Sequence, residues 1–348
     1  MNDISFLMGL GGLLAFIIGW GFKYLPGERW QMLAVVPLKK DGEKGWQGIN
    51  LTYYGFFIAT SQFVSILLLL ILLRSAHISI LGAAVATAVI LALCLPAARI
   101  VAMIVEHKRH TFTIGGASFV GIILAPWIIL GVERLGSEQF ILPMLPVLAA
   151  MSISYTLGEG LGRLGCISYG CCYGKPIDQC APLARMLFTR ANFIFTGENK
   201  KVAYEAGLCG TRLVPIQAIT CLLYSAGALA GSYLFLHGRF AETLLLTMVL
   251  TQLWRILSET MRADFRGFGK ISVYQKMGLA SVVYVGLICL FVEVPEKIVP
   301  NIVSGLDVVW NPWVIGGMQL LWVVFFIYFG RSTVTRSTVI FNIVRENI

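Results

Sequence analysis

Residues 53–73 read YYGFFIATSQFVSILLLLILL, twenty-one positions without a charge. A helix needs roughly 20 apolar residues to cross the hydrocarbon of a bilayer, and this run supplies them. Uncharged runs recur at 5–22, 78–98, 111–132, 139–158, 213–236 and 312–329, and two weaker ones lie at 241–258 and 277–292. That makes about nine spans. Runs this long without alternation exclude a membrane barrel. Composition agrees: 57% of the 348 residues are hydrophobic and only 13% charged, too few to cover a water-soluble surface of this size. The expectation is an all-α fold, a polytopic membrane helical bundle with a cysteine-rich extramembrane head loop. The first span follows Asp3 rather than a basic segment and precedes no small-residue cleavage site, so it reads as a retained helix and not a signal peptide.

Four polar stretches separate the spans. Residues 23–50 are basic and carry Trp30 and Trp46, which suit a membrane interface. Residues 99–110 hold Arg99, Glu106, His107, Lys108, Arg109 and His110; residues 164–212 form the head loop; residues 259–276 hold Arg262, Asp264, Arg266, Lys270 and Lys276. Alternating helices bring all four to one membrane face. The net charge of +9 rests on few charges overall, which points to an anionic phospholipid and away from nucleic acid.

Charged residues inside spans cost about 2.5–3.5 kcal/mol each on insertion scales, so they mark function by default. Arg255, Glu259 and Arg262 follow at i, i+4 and i+7, which places them on one helix face. Glu159 and Arg163 repeat the i, i+4 spacing at the end of another span, and Arg99 ends a third just past Pro96. Snorkelling to headgroups is the plain alternative. Two glutamates do not neutralise four arginines, however, and a phosphate would, because guanidinium forks bind it bidentately.

Between them runs Gly158-Glu159-Gly160-Leu161-Gly162-Arg163-Leu164-Gly165-Cys166-Ile167-Ser168-Tyr169-Gly170-Cys171-Cys172-Tyr173-Gly174. Gly160-x-Gly162-x-x-Gly165 matches a dinucleotide fingerprint in letters only, since no strand precedes it. The glycine density predicts a sharp exit from the helix, with backbone amides brought close to a ligand.

Gly162-Arg163-Leu164-Gly165, with Gly170 and Gly174 after it, resembles the Gly-Arg-x-Gly turn of the prolipoprotein diacylglyceryl transferase family. Collinear matches surround it: Tyr54-Gly55, Arg99, Gly115-Gly116-Ala117-Ser118-Phe119, Pro215-Ile216-Gln217, and Arg255-x-x-x-Glu259-x-x-Arg262. The resemblance covers roughly residues 50–292. It implies a core at 51–292 including head loop 164–212, flanked by an extra N-terminal helix and interfacial arm (1–50) and by a connector, extra C-terminal helix and tail (293–348). It implies transfer of a diacylglyceryl group from phosphatidylglycerol to a cysteine thiol of a lipoprotein precursor. The catalytic candidates are Arg163, Arg255, Glu259, Tyr54 and Cys171. Arg163 and Arg255 would hold the phosphate, Glu259 would orient an arginine or relay a proton, and Tyr54 would donate a hydrogen bond. Arg99, Arg262, Gly162, Gly165, Gly116, Ser118 and Gln217 are candidates for binding substrate.

The chain departs from the family pattern at four places. Val120 stands for a histidine, Cys166 and Tyr169 for asparagines, and Cys171 for a glutamate, so two proton-transfer groups are missing. His107 or His110 could supply the lost imidazole. Five cysteines (Cys166, Cys171, Cys172, Cys180 and Cys209) fall in the head region, where an extracytoplasmic location would favour disulfides, with Cys180 and Cys209 as the candidate staple. A thiol at Cys171 or Cys172 beside Arg163 would have a lowered pKa. No C-x-x-C pair exists, and neither a metal nor a cofactor is expected. The positive-inside rule places the basic face in the cytoplasm, whereas the resemblance places the head outside a bacterial cytoplasmic (inner) membrane; the expectation follows the resemblance. Two other readings stand beside the transferase: a related enzyme with another acceptor, and a non-catalytic lipid-binding subunit that docks membrane partners through its terminal helices.

Overall fold

The structure, a computed structural model, describes residues 2–42, 45–106, 114–136, 140–263, 271–293 and 298–348. His107, His110, Lys108, Arg109, Asp264, Arg266 and Lys270 lie outside the described residues.

In chain order the elements are α1 (Asp3–Tyr24), β1 (Met32–Asp41), β2 (Gly45–Thr52), α2 (Tyr53–Ser75), α3 (Ile80–Glu106), α4 (Ile114–Leu135) and α5 (Met144–Tyr169). The head follows with α6 (Pro182–Arg190), β3 (Phe193–Ile194), α7 (Lys201–Ala206) and β4 (Arg212–Leu213). The chain then returns through α8 (Ile216–Leu236), α9 (Phe240–Thr260), α10 (Val273–Phe291), α11 (Ile302–Leu306), α12 (Pro312–Gly330) and β5 (Arg331–Ile340). Among the described residues nine helices are long and apolar enough to cross a membrane: α1 to α5, α8 to α10 and α12. The polytopic helical bundle is as expected.

The axis of the bundle is α5, which packs against α2, α8 and α9. Leu145, Val147, Ala149, Ile153 and Leu157 on it are fully buried. Its extent corrects the expected exit at the glycines. The helix runs unbroken through Gly158, Gly160, Gly162 and Gly165 and stops only at Gly170, whose φ of +73° is a left-handed cap. A Cβ on Gly158 would stand 2.6 Å from Ser65 Oγ, and one on Gly165 would stand 3.0 Å from the Tyr54 carbonyl. Both residues face α2. These glycines let two membrane helices approach closely instead of ending one.

The arm within 23–50 and the C-terminal tail come together, because β1, β2 and β5 form one antiparallel sheet. Gly45 pairs with Ile340 and Ile49 with Arg336. The Thr52 hydroxyl donates to the Gly330 carbonyl at 3.0 Å where the two chain segments meet. This pairing places the end of α12 beside the start of α2, as alternating spans require. Arg99, for its part, does not end a span: α3 continues past Pro96 to Glu106, and Arg99 is exposed on it.

The head packs on the same end of the bundle. Lys175 N–H donates to the Met261 carbonyl at 2.9 Å, and Gly174 bridges to Arg262 just past α9. Buried Lys200 donates through Nζ to the carbonyls of Ser168 at 2.6 Å and Leu25 at 3.1 Å, joining the head to the ends of α5 and α1.

Candidate functional site

The centre of the site is Glu159, whose side chain is 4% exposed. Arg163, one turn along α5, reaches its Oε1 at 2.6 Å. Arg255 arrives from α9 and spans both oxygens, Nη2 donating to Oε1 at 2.8 Å and Oε2 at 2.7 Å. The same guanidinium donates to Tyr155 Oη at 2.9 Å and through Nη1 to Ser118 Oγ on α4 at 2.7 Å. Three helices are thus locked by one planar fork, which a lysine could not replace. Each arginine side chain is 12% exposed. One carboxylate against two guanidiniums leaves a net positive charge in a low-dielectric setting. Arg163 Nε is buried with no hydrogen-bond partner among the described residues.

The expected constellation is therefore rearranged. Arg163 and Arg255 do meet, but the carboxylate between them is Glu159. Glu259 instead accepts a hydrogen bond from the Ser272 hydroxyl at the N-terminus of α10. Arg262 lies beyond α9, on the strand-like contact with Gly174. Ser118 is engaged by Arg255 and so orients it. Gly116 serves packing, since a Cβ there would stand 2.6 Å from Val101. Gly162 faces Ile58 and Ser61 at ordinary contact distance. Tyr155 escaped the sequence reading altogether, although its i, i+4 relation to Glu159 was available.

One turn further along α5 a second cluster forms. The sulfurs of Cys166, Cys171 and Cys172 all lie within 4.8 Å of one another. The Gly170 cap folds the chain back, so Cys171 N–H donates to the Cys166 carbonyl at 3.1 Å. Cys172 takes a φ of +56°, a left-handed conformation that a non-glycine residue adopts at a cost. Gln217, expected against substrate, instead donates through Nε2 to the Cys171 carbonyl at 2.8 Å; its Oε1 is buried without a partner among the described residues. The thiol of Cys172 is held well below the ordinary range by its neighbours, first the thiols of Cys166 and Cys171, with Arg262 and Arg163 within electrostatic reach. Tyr54 borders the cluster: its ring lies 5.6 Å from that of Tyr169, and all three sulfurs are within its electrostatic reach.

Cys180 and Cys209 do not form the expected staple. Both are free thiols, with sulfurs directed to different carbonyls, Pro176 at 3.6 Å and Phe195 at 3.7 Å. Antiparallel pairing of β3 with β4 closes the head there without a covalent link.

Bundle and buried arginine fork together define an integral membrane protein built to hold charge among its helices. The profile of one family, prolipoprotein diacylglyceryl transferase, matches residues 45–292. The chain belongs to that family. A comparison with curated proteins returns no match. The match begins at the first residue of β2 and ends just past α10, leaving α1, β1, α11, α12 and β5 outside it.

Proposed function

We propose that the protein moves a diacylglyceryl group from phosphatidylglycerol to an acceptor sulfur, on the extracytoplasmic side of a bacterial cytoplasmic membrane. The observation that carries this reading is the Glu159–Arg163–Arg255 triad, buried and one positive charge in excess, with Arg163 Nε unmet. When the glyceryl carbon–oxygen bond breaks, its electron pair leaves on glycerol phosphate and a second negative charge develops on the phosphate. Guanidiniums already fixed by Glu159, Tyr155 and Ser118 stabilise that charge without reorganising. Sulfur forms the new bond to carbon and gives up its proton. An apolar groove of about 390 Å³ between α8 and α9, lined by Leu223, Leu246, Leu250, Leu253 and Trp254, lies along the helix that carries Arg255 and suits an acyl chain.

The acceptor is an exported precursor's cysteine on the family pattern. Val120, Cys166 and Cys171 favour a second reading, in which the lipid donor is kept and the acceptor differs. The test is turnover in vesicles of phosphatidylglycerol with a cysteine peptide, an amine or an alcohol as acceptor. Release of glycerol phosphate matched by loss of the peptide thiol supports the first reading, and release matched only by another acceptor supports the second. Absence of release with every acceptor rejects both.

A further inference from the structure

We propose that Cys166, Cys171 and Cys172 form a three-sulfur site for a thiophilic divalent metal ion of the zinc class, with a fourth coordination position left for an incoming ligand. The sulfurs come from the last turn of α5 and the two residues after its cap, and they lie within 4.8 Å of one another. Zinc–sulfur bonds of about 2.3 Å set ligand sulfurs roughly 4 Å apart, so adjustments below an ångström close the site. The backbone is built for this convergence. A glycine in the left-handed region at 170 and a non-glycine there at 172 turn the chain, and Gln217 pins the Cys171 carbonyl.

The charge also balances. Three thiolates around a divalent ion carry one negative charge, and Arg163 and Arg262 stand near enough to offset it. Metal binding sends the displaced thiol protons to solvent and transfers no electrons. Sites with three protein ligands keep a position for water or substrate, which separates them from closed structural sites.

One consequence rests on the transferase reading above: the open position suits an acceptor sulfur. Coordination to the ion removes its proton outright, so no imidazole is required where Val120 stands. The bound sulfur then attacks the glyceryl carbon while the oxygen leaves with glycerol phosphate.

The test uses the full-length protein, reduced, stripped with chelator and titrated with cobalt(II). The wild-type protein should take up one equivalent and develop thiolate-to-cobalt charge-transfer absorption that zinc abolishes. Cys166→Ala, Cys171→Ala and Cys172→Ala should each weaken binding by at least about 100-fold, while Cys180→Ser/Cys209→Ser should bind as wild type. A reduced wild-type protein without the sulfur band, or a band unchanged by Cys172→Ala, overturns the proposal; the wild-type titration depends on no variant folding. Arg255→Ala separates the two readings, since it should keep the cobalt band and lose turnover. Turnover by the wild type without any band defeats the metal site alone, and a band without turnover defeats the transferase reading alone.

Discussion

Glu159→Gln tests the site at its pivot. The native carboxylate makes three contacts with two guanidiniums, at 2.6, 2.8 and 2.7 Å. An amide keeps one acceptor oxygen but turns an N–H toward a guanidinium that can only donate. The buried charge rises from one to two. Removing one partner of a buried ion pair costs about 3–5 kcal/mol. Tyr155 and Ser118 still hold Arg255, so the lower end applies, about 3 kcal/mol. At about 1.4 °C per kcal/mol, from roughly 2.1 cal/mol/K for each of 348 residues, the expected fall in Tm is about 4 °C in neutral detergent. The second half of the assay uses lipid. A site with two unbalanced guanidiniums should take an anion more tightly, so phosphatidylglycerol vesicles should restore most of the loss and zwitterionic vesicles little. The reasoning is refuted if Glu159→Gln melts within about 1 °C of wild type, a margin on the order of 1 kcal/mol, or if both lipids rescue it equally.

Gly158→Leu should be destabilised by about 1–3 kcal/mol or more, because its Cβ would stand 2.6 Å from Ser65 Oγ at the α5–α2 contact; unfolding in mixed micelles reads the loss, and a neutral result would show the contact is loose. Lys200 supplies a pH dependence outside the membrane. Desolvation pushes its ammonium down to about 8 from the ordinary 10.5, with Glu28 pulling the other way. Between those values the unfolded chain binds more protons than the folded one, so stability rises with pH. That contribution is complete above the unfolded value and lost as pH falls through about 8. The full swing is roughly 3 kcal/mol, and Lys200→Met should flatten the slope of Tm between pH 8 and 10; an unchanged slope would place its cause elsewhere.

The spans were legible because membrane crossing leaves a one-dimensional signature, uncharged apolar length. The exit from α5 was misplaced because glycine means different things in water and in lipid. At Gly158 and Gly165 its value is the missing side chain, which admits α2, and only Gly170 uses the left-handed region. The β5 sequence RSTVTRSTVI is rich in β-branched residues, a strand signal masked by its position directly after α12. Helical spacing put Arg255 and Glu259 on one face but could not say which neighbour each met: the carboxylate that pairs with Arg255 is Glu159 on α5, and Glu259 meets Ser272. The cysteine cluster was missed for a related reason. Metal-ligand spacing rules look for C-x-x-C, whereas here a helical cap folds positions 171 and 172 back over 166.

The central claim is that Arg163 and Arg255 together hold the headgroup phosphate of an anionic lipid. Mass spectrometry of the protein released from mild detergent measures it most directly, comparing wild type with Arg163→Ala and Arg255→Ala. Wild type should retain one phosphatidylglycerol, and each variant, still folded by its melting curve, should lose it. Equal lipid retention by all three proteins would contradict the account.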